Sequence, residues 1–245
     1  MAGTTARGHY STISIYEYSD EQRHIITGKR IRFRFEQAYS TTADRRDGPH
    51  VSLGVLYGVD DLQPSLAGAA GEPKSGPGHA SASLVRRAVG GDLTPENIMD
   101  STGPFGTIGM LPRPGLVPRG DICGMRAYDV TATGTLEIGA PRRVVNAPDW
   151  PSQGSLVLAV PDAKGGFDSV IGCSTINIVR GYPMCRSLSR YRGWPLEIVF
   201  SGGDLCRYDK VLTGARTLFD RFYLNETNRS PGEVEHRWSP ASGVR

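Results

Sequence analysis

Residues 205–222 carry Leu205, Tyr208, Val211, Leu212, Ala215, Leu218 and Phe222 at spacings of three and four, which is one apolar stripe at the helical period. Elsewhere the apolar residues recur mainly at every second position, the period of strands. A helix with a single apolar stripe must lay it on another layer, and the layer this chain offers is made of strands. The expectation is therefore a mainly β (α+β) fold, an antiparallel sheet or sandwich with one C-terminal amphipathic helix packed on it. Asp204, immediately before Leu205, reads as the N-cap of that helix, and Ser201-Gly202-Gly203 as the turn leading into it.

The clearest strand is Arg30 to Phe35, where Ile31, Phe33 and Phe35 take one face and Arg30, Arg32 and Arg34 the other without exception. Val51, Leu53, Val55 and Tyr57 alternate after a polar connection, so the two segments read as an antiparallel pair. Strands are also expected at 9–18, 127–138, 154–160, 167–171, 176–179 and 196–200, with 154–160 covered on both faces. A short helix is read at 93–99, capped by Thr94 before Pro95, and 103–120 reads as irregular chain. An apolar content of 38% beside 31 glycines and 17 prolines fits short strands broken by many turns. The chain divides into N-terminal strands over 1–63, a flexible Gly/Ala/Pro-rich insertion over 64–92, a β-rich remainder over 93–224 that forms one domain with 1–63, and a polar tail over 225–245.

Twenty-eight basic residues against 25 acidic leave a net charge of +3, with no long basic tract, so nucleic acid is not the expected partner. No apolar run reaches the roughly 18 residues of a membrane-spanning helix, and the first thirty residues hold no apolar export core. The chain is read as periplasmic or envelope-associated if an export signal has been removed, and otherwise as cytoplasmic. The cysteines, Cys123, Cys173, Cys185 and Cys206, form no CxxC pair and have no histidine at ligand spacing, which argues against zinc. Cys173 and Cys185 flank the turn-rich Arg180-Gly181-Tyr182-Pro183, so they either close a disulfide in an oxidising compartment or fill the core as small apolar residues. Cys206 reads as core filling rather than as a thiol activated by a helix end.

The arginine ladder Arg30, Arg32, Arg34 is the strongest candidate binding feature, with side chains about 7 Å apart along the strand. It suits an acidic partner; the alternative is a solvated sheet face with cross-strand Glu or Asp partners. Trp150, Trp194, Tyr182 and Tyr191 fall in Pro- and Gly-containing stretches read as loops, where Trp194 and Tyr191 either anchor a partner or pack the loops onto the sheet. The five histidines form no HxH or HExxH arrangement, and Ser174 follows Gly172 without the second glycine of a nucleophile elbow. No phosphate-binding or dinucleotide glycine fingerprint occurs, and the adjacent Asp60 and Asp61 point to opposite sides of a strand end. No catalytic residue, metal or cofactor is assigned.

The segment Ile31-Arg-Phe-Arg-Phe-Glu-Gln-Ala-Tyr39, the strand Val51 to Tyr57, and the ending of two cysteines, Pro195-Leu-Glu-Ile-Val-Phe-Ser201 and the helix Leu205 to Phe222 resemble an uncharacterised group of bacterial envelope-associated proteins. Some of that group are similar to immunity lipoproteins encoded beside secreted antibacterial effectors, including those of type VI secretion. The resemblance covers about half the chain and rests on structural motifs; the chain departs from it in having no lipobox cysteine near Met1. What it implies is a non-enzymatic protein-binding protein, an immunity or inhibitor protein against a secreted toxin. Two alternatives stand beside it: a hydrolase whose site forms only in three dimensions, and a structural or virion-associated β-sandwich.

Overall fold

The computed structural model of the protein describes residues 10–18, 26–36, 39–43, 50–57, 62–64, 78–85, 93–95, 115–131, 155–179 and 182–228. The strands are β1 (Tyr10–Tyr18), β2 (Ile26–Glu36), β3 (Ser40–Ala43), β4 (His50–Tyr57), β5 (Gln63–Pro64), β6 (His79–Val85) and β7 (Gly115–Ile122). They continue with β8 (Met125–Thr131), β9 (Ser155–Pro161), β10 (Phe167–Val179), β11 (Tyr182–Tyr191) and β12 (Trp194–Ser201). A 3-10 segment, Gly202–Arg207, then runs into helix α1 (Tyr208–Phe222), and β13 (Tyr223–Asn228) follows. Among the described residues these form a ten-stranded sheet in the order β3-β4-β6-β12-β11-β10-β9-β8-β7, with β5 beside β4, and a three-stranded sheet β1-β2-β13. Every described pairing is antiparallel, so the mainly β fold with one C-terminal helix is what the chain adopts.

Strands β7 to β12 form a meander of hairpins, and β12 then pairs with β6 from the earlier part of the chain. One face of the large sheet presents Leu84, Leu156, Leu158, Ile171, Leu196, Ile198 and Phe200 to the core that α1 shares. Tyr208, Val211, Leu212, Ala215, Leu218 and Phe222 of the helical stripe are all buried there, together with Phe219. Phe200 meets Tyr208 at 5.3 Å between ring centroids, while Phe33 and Phe35 of β2 meet Phe219 at 5.5 and 6.3 Å. The helix thus touches both sheets, and each fully buried ring contributes about 1.5–3 kcal/mol of transfer free energy. On the opposite face Val157, Ala159, Val170 and Leu188 pack with Leu93, which is why the run at 154–160 is apolar at both parities.

Several expectations need correcting. Arg30–Phe35 and Val51–Tyr57 do not pair: β2 joins β1 and β13, and β4 joins β3, β5 and β6 in the other sheet. Residues 79–85, within the stretch read as a flexible insertion, form a central strand. Its inward positions are Ala80, Ala82 and Leu84, set opposite Phe200, Ile198 and Leu196, and with two of the three alanine the period was present but its apolar volume was slight. Strand β7 occupies 115–122, overlapping the stretch 103–120 read as irregular, and β13 extends into the stretch read as a tail. Residues 167–179 are one strand rather than two. Pro95 begins a helical turn after Thr94; residues 96–99, 132–138 and Trp150 lie outside the described residues.

Candidate functional site

Because β2 is the middle strand of the small sheet, its alternation sends Ile31, Phe33 and Phe35 into the core and leaves Arg30, Arg32 and Arg34 on the outer face. The register supplies their neighbours. On β1, Thr12, Ser14 and Tyr16 stand opposite Arg34, Arg32 and Arg30, and on β13, Asn225 and Thr227 stand opposite Arg32 and Arg30. None of these cross-strand partners is acidic, so the neutralised face weighed above is not what the register provides. Glu36 lies at the far end of the same face, opposite Tyr10. Neighbouring guanidiniums at this spacing repel by about 0.6 kcal/mol per pair in water-like surroundings, a modest cost that a bound anion would reverse. Arg34 lies over the Tyr10 ring at 4.5 Å from its centroid, and Tyr10 is 51% exposed. The Nε of Arg30 is buried without a hydrogen-bond partner. Such a row can donate forked hydrogen bonds to carboxylates in a fixed order, and it holds no reacting group.

Tyr191 and Trp194 are not loop residues open to a partner. They end β11 and begin β12 on either side of the two-residue turn Arg192-Gly193, whose φ values of 51° and 83° are those of a type I′ hairpin. Tyr191 is 3% exposed and Trp194 5% exposed, so both belong to the core. The Tyr191 hydroxyl donates to Asp220 Oδ1 at 2.8 Å, and burial followed by that carboxylate acceptor raises its pKa above the ordinary phenol value. Arg192 also donates to Asp220, at 3.0 Å, and lies over the Tyr223 ring at 4.3 Å, clamping the hairpin tip onto the end of α1. Strand β11 escaped the sequence reading because its core-facing positions Cys185, Ser187 and Ser189 are small or polar.

Beneath α1 lies a polar layer that sequence reasoning missed. Arg216 donates to both carboxylate oxygens of Asp168 at 3.2 and 2.9 Å, to Ser189 Oγ at 2.9 Å and to the carbonyl of Arg190 at 3.2 Å. The Tyr208 hydroxyl is buried near the hydroxyls of Ser169 and Ser187 without forming a regular hydrogen bond; burial pushes its pKa up to about 12, and the two serines partly offset the rise. These groups fix the helix on the sheet. Asp204 is not the helix N-cap: its Oδ2 accepts from the Gly78 N–H at 2.6 Å, while Ser201 Oγ caps the 3-10 segment by accepting from Gly203 N–H at 3.2 Å.

The four cysteines form two disulfides, Cys173–Cys185 across the directly paired positions of β10 and β11, and Cys123–Cys206. The second corrects the reading of Cys206 as core filling, since Cys206 is exposed and covalently held to the β7–β8 turn. Among the described residues no group of three or more His, Cys, Asp or Glu side chains converges as a metal site would require. None of the described helices is long and apolar enough to cross a membrane.

No protein-family model and no curated protein matches the chain. Among solved structures it is similar to Smlt3025, an immunity protein of the Stenotrophomonas maltophilia type IV secretion system, with 14% sequence identity and a TM-score of 0.48. That alignment covers 91% of this chain and 98% of the other. The secretion system named for that protein is type IV, whereas the sequence resemblance included type VI.

Proposed function

We propose that this chain is a non-enzymatic protein-binding protein of the immunity or inhibitor kind, which covers an acidic surface of a secreted toxin with the outer face of β1-β2-β13. The observation that carries the reading is the row Arg30, Arg32, Arg34 set among Thr12, Ser14, Asn225 and Thr227, three cations ordered by one strand with uncharged residues opposite them on both neighbouring strands and Glu36 at the far end of the face. A face of that composition gains from a carboxylate-bearing partner through charge complementarity, which accelerates encounter and selects the partner's sign. Two disulfides suit an oxidising compartment such as the periplasm as the place where the partner is met.

The test is a pull-down with the tagged protein from its own organism at low and moderate salt, in parallel with the variant R30E/R32E/R34E. A stoichiometric partner held by the wild type, weakened by salt and lost by the variant is the expected result. A partner held equally by both proteins at both salts excludes this face. A wild-type bait that retains no partner at either salt overturns the reading.

A further inference from the structure

The two disulfides sit in opposite environments. Cys173 and Cys185 are 0% and 1% exposed, whereas Cys123 and Cys206 both lie at the surface. Cys123 also occupies a turn position that its side chain does not favour. With φ of 52° at Cys123 and 78° at Gly124, the β7–β8 connection is a type I′ turn, where Asn or Gly is the usual first residue. Strand β7 is at the rim of the large sheet, interrupted by Pro118 and an irregular register between Pro118 and Gly120, so it adds little holding power of its own. Strand β8 attaches the hairpin to β9 through four paired positions, Arg126 to Asp129 against Ala159 to Leu156. The hairpin is also held by apolar contacts of Ile122, Met125 and Ala127 with the main core and of Leu116 and Tyr128 with the second apolar cluster, by Arg126 over the Phe167 ring at 5.8 Å, and by the covalent link from Cys123 to Cys206.

We propose that Cys123–Cys206 is a thiol–disulfide exchange site open to dithiols, and that its opening loosens the β7–β8 hairpin while Cys173–Cys185 stays intact. A thiolate of the dithiol attacks one sulfur of Cys123–Cys206, the S–S bond breaks, and the departing cysteine thiolate takes up a proton. The second thiol of the reagent then attacks the mixed disulfide. This releases the other cysteine and leaves the reagent as a disulfide, so two electrons pass from the dithiol to the protein. The buried pair cannot be approached in line by a thiolate until the strands around it open, and core opening is far rarer than motion at an exposed turn. The site does not depend on the arginine face or on the identity of its partner.

The experiment is a timed treatment of the folded full-length chain with dithiothreitol, quenched with N-ethylmaleimide and read by peptide mass mapping, with amide hydrogen exchange measured on the product. Labels at Cys123 and Cys206 are expected to appear at least about a hundredfold faster than any label at Cys173 or Cys185. Exchange over 115–131 should quicken to the rate of local opening, while 182–201 stays the more protected segment and quickens only as far as global stability falls. The variant C123N/C206S, in which Asn suits the positive φ, should reproduce that exchange pattern with no reductant. The proposal is overturned if all four labels appear together, if the buried pair reacts first, if nothing reacts short of denaturant, or if labelling leaves exchange over 115–131 unchanged.

Discussion

Replacing the Cys123–Cys206 link by Asn and Ser isolates its contribution to stability, because both side chains are exposed and the substitutions leave no core cavity. The sequence separation is 83 residues, and loop closure of that length removes about 15 cal/mol/K from the unfolded chain, or about 4.5 kcal/mol at 25 °C. Cys173–Cys185 lies inside the loop with a separation of 12; the shortcut it makes in the unfolded chain lowers the figure by only ~0.1 kcal/mol, since the dependence on length is logarithmic. Asn at position 123 accepts the left-handed turn, so no new backbone penalty adds to the loss. Equilibrium urea unfolding of wild type and C123N/C206S, followed by circular dichroism and fluorescence together, should show a drop in midpoint of about 1.5–2.3 M for a slope of about 2–3 kcal/mol/M. Coincident transitions by the two probes are required for that comparison. A loss under about 1 kcal/mol would refute the loop-closure reasoning and mean that the unfolded chain is not held together through these two positions.

At Gly202 an added Cβ would stand 2.6 Å from Pro183 Cγ and 2.9 Å from the Pro183 carbonyl oxygen, so Gly202→Ala is expected to cost about 1–3 kcal/mol, measured as a fall in thermal midpoint. The fold keeps the Tyr208 phenol neutral up to about 12, while in the unfolded chain it ionises near 10, so its contribution is complete below pH 10 and is lost as pH rises toward 12. Urea unfolding across that window should show wild type losing up to about 2–3 kcal/mol more than Tyr208→Phe, and near pH 7 the variant should match or exceed wild type because its missing hydroxyl had no regular partner.

The parts of the fold that were legible are those where one physical signal dominated. The stripe on α1 was visible because Val211, Leu212, Ala215, Leu218 and Phe222 must all face one layer, and β2 because Ile31, Phe33 and Phe35 alternate strictly with arginine. Strand β6 stayed hidden because Ala80 and Ala82 hold the inward positions, where the large residues of β12 opposite leave only small volumes to fill. Strand β11 stayed hidden because its inward face is partly hydroxyl, serving Arg216 rather than an apolar neighbour. Pairing partners were beyond reach for a different reason. Alternation fixes which face a residue takes and carries no information about which strand lies beside it, so β2 and β4 were coupled by proximity in the chain alone.

The same distinction governs the candidate site. The alternation of β2 put three arginines on one surface, but whether they are neutralised depends on β1 and β13, and β13 lies some 190 residues further along the chain in the stretch that follows the helix. The register gives Thr12 and Ser14 on one side and Asn225 and Thr227 on the other, so the field of the row is left to act outward rather than on a neighbouring strand. Had Glu226 fallen one position earlier or later in the pairing, a carboxylate would stand opposite Arg32 or Arg30 and the face would be a set of surface ion pairs worth well under about 1 kcal/mol each. The one-residue register of an edge strand therefore separates a face fit for an acidic partner from one that only keeps the sheet in water.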